Sequence, residues 1–127
     1  MPGPARAGAL LYASNMERIA SFYEKVLSMV RLTSSGERIV IESPDIQMLI
    51  HAYPPHIAHT VSLQNPPLFR QTPLRLFFTV PSIDAARTIA ANLGGVVQTE
   101  KWQGPGFKVC NATDPEGNIF QVRESAL

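Results

Sequence analysis

The chain has 127 residues, 45% apolar and 17% charged, with a formal net charge of +1. That length suits one domain with its own core, and the near-neutral charge argues against nucleic acid or an acidic membrane surface as a partner. The single cysteine, Cys110, excludes an internal disulfide framework and a cysteine-rich zinc site. No apolar run approaches the ~18 residues of a membrane span. Met1 to Gly8 carries no signal-like apolar stretch, so a cytoplasmic protein is expected.

Gly8 to Ala13 is an apolar run of strand length. Ser14, with Glu17 three residues on, has the spacing of a capping box and predicts a helix start. Ile19, Phe22, Tyr23, Val26 and Leu27 then recur along one face of an amphipathic helix. Val30 to Thr33, Arg38 to Glu42 and Gln47 to Ala52 read as strands, with turns at Ser34–Gly36 and Ser43–Asp45. Residues 53–73 hold Pro54, Pro55, Pro66, Pro67 and Pro73. Proline removes a backbone donor and fixes φ, so this stretch reads as a connector, with a short extended piece at Thr60 to Leu63.

The second half repeats the first. Arg75 to Val80 reads as a strand, and Pro81-Ser82 as a turn with Ser82 the N-cap. Ile83, Ala86, Ala90 and Leu93 mark a helical face that Gly94-Gly95 terminates, since glycine accepts the left-handed conformation. Val96 to Glu100, Phe107 to Asn111 and Asn118 to Arg123 read as strands, with turns at Gly104–Gly106 and Asp114–Gly117. The order β-α-β-β-β therefore occurs twice, over about residues 8–52 and 74–125, with Gly8 matching Arg75, Leu11 matching Phe78 and Met16 matching Ile83.

This layout resembles the vicinal oxygen chelate superfamily, which includes glyoxalase I, extradiol dioxygenases and bleomycin-resistance proteins. Three segments carry the resemblance: ALLYASNMERIASFYEKVLSM from Ala9, FFTVPSIDAARTIAANLGG from Phe77 and DPEGNIFQV from Asp114. The resemblance implies a single α+β domain over residues 1–127, with two tandem β-α-β-β-β modules forming a partly open barrel. It also implies a concave ligand face and a homodimer. Strand alternation assigns Gly8, Leu10 and Tyr12, then Arg75, Phe77 and Thr79, then Ile119, Gln121 and Arg123 to that face.

The resemblance further implies metal ligands at the positions of Gly8, Leu49, Arg75 and Gln121. Gly8 has no side chain, Leu49 has no donor atom, and Arg75 has no lone pair to give. No metal and no other cofactor is therefore expected. The leading expectation is a metal-free protein that sequesters an anionic or aromatic small molecule, with Tyr12, His51, Arg75, Phe77, Trp102, Gln121 and Arg123 lining the face. The guanidinium of Arg75 would supply the positive charge that a cation gives elsewhere. The alternative is a divalent-metal lyase, isomerase or dioxygenase with a displaced site at His51, Gln121, Glu124 and His59. A third reading has the face filled by Met48, Leu49 and Phe77. The segment HAYPPHIAH, with His51, His56 and His59, is broken by Pro54-Pro55, so no helical ligand spacing applies. Cys110, on a strand, reads as a small buried hydrophobe. Alternation puts Glu124 on the helix side of the last strand.

Overall fold

Ile19, Phe22, Tyr23 and Val26 are buried together, as their spacing requires, on α1, Met16–Val26. The computed structural model describes residues 5–55 and 73–127. The connector between them, with Thr60 to Leu63, His56 and His59, lies mostly outside the described residues. The chain divides into two compact units, residues 1–61 and 62–127.

In the first unit β1, Gly8–Ala13, leads into α1; β2, Val30–Ser34, β3, Arg38–Glu42, and β4, Gln47–Ala52, follow. The sheet order is β1-β4-β3-β2. β1 runs parallel to β4, and the other two pairings are antiparallel. Alternation sends Ile39, Ile41, Met48 and Ile50 into the core with the apolar face of α1. Burying a side chain such as Phe22 or Ile50 contributes about 2–3 kcal/mol. Among the described residues only one face of this sheet has a helix to cover it, so these strands alternate.

The N-cap of α1 is Asn15, not Ser14: its side-chain oxygen accepts from the Arg18 N–H at 3.1 Å. The expected capping box is therefore absent, because Glu17 falls one turn position early and points elsewhere. Arg31 on β2 takes it instead, at 2.7 Å, and takes Glu24 of the same helix at 2.6 Å. This clasp fastens α1 to β2.

The second unit repeats the path. β5, Leu76–Thr79, leads into α2, Ile83–Asn92; then come β6, Val96–Val97, β7, Trp102–Gly104, β8, Phe107–Thr113, and β9, Ile119–Ser125. The order is β5-β9-β8-β6, with β7 also on β8, and β5 runs parallel to β9. Because β6 and β7 both pair with β8, they are two pieces of one interrupted strand. The strand expected over Val96 to Glu100 is thus shorter, and pairing resumes at Trp102. Arg87 of α2 sits at the interruption: its guanidinium donates to the Val97 and Gln98 carbonyls at 3.2 and 3.0 Å. Gly104 closes β7 opposite Phe107 instead of starting the turn.

Ser82 caps α2 as expected, accepting from the Ala85 N–H at 3.1 Å. Gly94 follows the C-cap at φ 91°, so the glycine stop is also as read from sequence. Cys110 is buried in the core with Val97, Ala112, Phe120 and Val122. The Asp114–Gly117 turn joins β8 to β9: the Gly117 N–H donates to the Asp114 carbonyl at 2.9 Å, and Gly117 has φ 87°.

Candidate ligand-binding face

In the second unit, the face of the sheet away from the buried side chains carries Phe77, Thr79, Gln121, Arg123, Asn111 and Val109. The register sets their rows. Phe77 lies beside Gln121, which lies beside Asn111; Thr79 lies beside Arg123, which lies beside Val109, which lies beside Trp102. Phe120, Val122, Cys110 and Ala112 alternate with them and are buried. Arg75, just before β5, reaches the same cluster. Its guanidinium donates to Asn111 Oδ1 at 3.0 Å, and Gln121 Nε2 donates to the same oxygen at 3.2 Å. Arg75, Asn111 and Gln121 therefore form one polar cluster on one face.

Arg123 is held differently. Its guanidinium carbon lies 3.6 Å from the centre of the Phe77 ring and 4.2 Å from the centre of the Phe107 ring. Each contact is a cation–π attraction worth about 0.5–2 kcal/mol, the larger value when desolvated. Its Nε–H is buried with no acceptor. Among the described residues no carboxylate pairs with Arg123. Phe107 takes its place because Gly104 opposite it has no Cβ: a methyl there would collide with the outer edge of the Phe107 ring. Phe77 and Trp102 stay 53% and 44% exposed, which leaves flat aromatic surface beside the charges.

Five of the seven residues expected on a ligand face, Arg75, Phe77, Trp102, Gln121 and Arg123, share this surface. Tyr12 and His51 lie on the first unit, side by side on the face of its sheet away from α1. Their rings meet edge to face at 5.7 Å, and Tyr12 stacks on Tyr53 at 5.6 Å. His51 Nδ1 lies 2.7 Å from the Ala52 carbonyl oxygen. A carbonyl only accepts, so Nδ1 carries the proton and Nε2 of the neutral ring is left as an acceptor. Asn111 and Phe107 complete the second unit's site and were not singled out from sequence. The signal was there: Asn111 is a polar residue between buried Cys110 and Ala112, and only the β8–β9 register puts it opposite Gln121.

A divalent ion does not fit the positions that the resemblance implies. A Cβ at Gly8 would stand 2.8 Å from the Gln47 carbonyl oxygen, so the backbone itself leaves no room for a ligand side chain. Leu49 faces Leu10 and offers no donor. Arg75 is a cation, and the Gln121 amide is turned to donate to Asn111. Zinc-like ions require imidazole, thiolate or carboxylate groups. The displaced set also loses a member. Glu124 faces α2, where its carboxylate accepts from the Ile83 N–H at 2.7 Å and pairs with Lys108 at 3.0 Å. No group of three or more His, Cys, Asp and Glu side chains converges among the described residues.

The sequence matches the model of the glyoxalase-like domain over residues 9–123. The chain belongs to this family. The fold of the glyoxalase-like domain is shared with solved structures of low identity. One is a glyoxalase/bleomycin resistance protein from Albidiferax ferrireducens, at TM-score 0.66 and 18% identity, covering 93% of this chain and 96% of that one. Another is a fosfomycin resistance protein from Listeria monocytogenes, at TM-score 0.68 and 12% identity, covering 100% and 94%. A third is the bleomycin resistance determinant encoded on the transposon Tn5, at TM-score 0.63 and 14% identity, covering 98% and 100%. A search of curated protein sequences finds no match. At these identities the likeness concerns the fold, two β-α-β-β-β modules in an α+β chain. Among the described residues no helix is long and apolar enough to cross a membrane.

Proposed function

We propose that this glyoxalase-like domain is a metal-free small-molecule binding protein that sequesters an anionic or aromatic ligand. One observation carries the reading: Arg75 and Arg123 stand on a single sheet face, beside exposed Phe77 and Trp102, and Arg75 and Gln121 on that face offer no metal-ligating pair. Fixed guanidinium groups supply positive charge there without a cation, and an Arg fork pairs with carboxylate or phosphate oxygens. Aromatic side chains at the same surface give a flat ligand its apolar contact. Family resemblance adds a homodimer and a cytoplasmic location to the proposal. It also makes the two modules one functional domain.

The test is elemental analysis of tag-free protein purified without chelators, followed by thermal unfolding with Zn²⁺, Ni²⁺, Mn²⁺ or Fe²⁺ added back. The expected result is metal far below one equivalent per chain and no shift in Tm. Near-stoichiometric metal, or a stabilising shift on re-addition, overturns the proposal.

A further inference from the structure

We infer that Arg123 receives a planar carboxylate in the plane of its guanidinium, so that the ligand is an aromatic or otherwise flat carboxylate and not a phosphate or phosphonate ester. This rests on the binding reading above and narrows it to one head group.

The argument starts from what covers Arg123. Phe77 and Phe107 occupy the two ring contacts, at 3.6 and 4.2 Å from the guanidinium carbon. Nε is buried and makes no hydrogen bond. No side chain among the described residues accepts a hydrogen bond from the terminal nitrogens, and unlike Nε they are not enclosed. The donors left for a ligand therefore lie at the end of the fork, in the guanidinium plane. Two coplanar oxygens at carboxylate spacing satisfy both terminal nitrogens at once.

A tetrahedral head group can also meet the fork with two oxygens, but it fits this surrounding less well. With two oxygens in that plane, a third stands out of it, towards a phenyl face. The face of an aromatic ring is its negative side, so an anionic oxygen is repelled there. Arg75 already gives one guanidinium N–H to Asn111 Oδ1 at 3.0 Å. It adds positive charge nearby. The body of the ligand meets Phe77 and, two strand spacings or about 10 Å along the Arg123 row, the half-exposed indole of Trp102. Those surfaces favour a flat ring over a flexible chain.

The experiment titrates the full-length native protein with benzoate, phenylphosphonate and benzamide, followed by calorimetry and amide NMR shifts. The expected result is that benzoate binds at least about tenfold more tightly than either of the others. Shifts should centre on residues of β5 and β9. Equal binding of benzamide removes charge from recognition, and equal or tighter binding of phenylphosphonate removes planarity; each overturns the inference. Failure of all three to bind overturns it as well. The metal-free reading is judged separately by the elemental analysis, which no result with these probes alters. Arg123→Lys keeps the charge and loses the planar fork, so the benzoate preference should disappear. A folded Arg123→Lys variant that retains the preference counts against the inference. If that variant does not fold, the panel on native protein decides alone.

Discussion

Ser28 and Gly94 hold the same place in the two modules: each follows the C-cap of its helix, and each has positive φ, 55° and 91° respectively. A non-glycine residue in the left-handed region costs roughly 1–2 kcal/mol. Glycine avoids that strain and gives back part of the gain as unfolded-chain entropy. Ser28→Gly should therefore stabilise the protein by about 0.5–1 kcal/mol. Gly94→Ala should destabilise it by about 1 kcal/mol or more. Urea unfolding at constant m-value reads both changes, and a Ser28→Gly midpoint below that of the native protein contradicts the argument.

Asp114 is only 3% exposed and organises the β8–β9 turn. One oxygen accepts from the Glu116 and Asn118 N–H groups at 2.9 and 3.0 Å, and the other from Asn118 Nδ2 at 2.8 Å. Asp114→Ala leaves those donors without their acceptor and should cost about 2–4 kcal/mol. Asp114→Asn keeps one acceptor oxygen and should cost less. A thermal melt orders the three proteins.

Glu124 should make stability pH-dependent. Hydrogen bonding from the Ile83 N–H, then from Lys108, holds its carboxyl below the ordinary value of 4.5. A depressed carboxyl stabilises the fold above its unfolded pKa and loses that contribution as pH falls through the folded one. In Glu124→Gln that dependence is gone. The gap in unfolding midpoint between native protein and variant should be constant from pH 7 to about pH 5 and close below it. Glu17, also lowered through its hydrogen bond to Arg31, is common to both proteins and cancels from the difference. A gap that persists unchanged to pH 3 would show that Glu124 has no special environment.

Gly104→Ala tests the link between backbone and site. The new methyl collides with the Phe107 ring, which must move off Arg123. Forced repacking of this kind costs about 1–3 kcal/mol. The variant should also shift the Arg123 side-chain Nε resonance, because a ring current is removed. An unmoved resonance would show that Phe107 does not cover the guanidinium.

Much of this protein was legible from its residues because local rules agreed. Both helical faces followed from spacing, since Ile19, Phe22 and Tyr23, like Ile83, Ala86 and Ala90, must share one side of a 3.6-residue turn. Strand alternation placed Phe120 and Val122 inside and Gln121 and Arg123 opposite, because successive side chains point to opposite faces. Glu124 fell on the helix side by the same rule. Where two local options were equally good, the sequence did not choose. Ser14 and Asn15 are both competent caps, and the structure takes Asn15 while Arg31 draws Glu17 away. The break after Val97 was also hidden, because Arg87 satisfies carbonyls there that a continuous strand would have used.

The sequence by itself determined the two-module order, the faces of the strands and the want of metal-ligating side chains at Gly8, Leu49 and Arg75. These depend on short-range periodicity and on the chemistry of single residues. Only the tertiary structure decided what the face of the second sheet is made of. Register brings Asn111 opposite Gln121 and within reach of Arg75, and a missing Cβ at Gly104 lets Phe107 close over Arg123. Such contacts depend on how the strands pair, and a one-residue slip in pairing would turn the paired side chains to the other face.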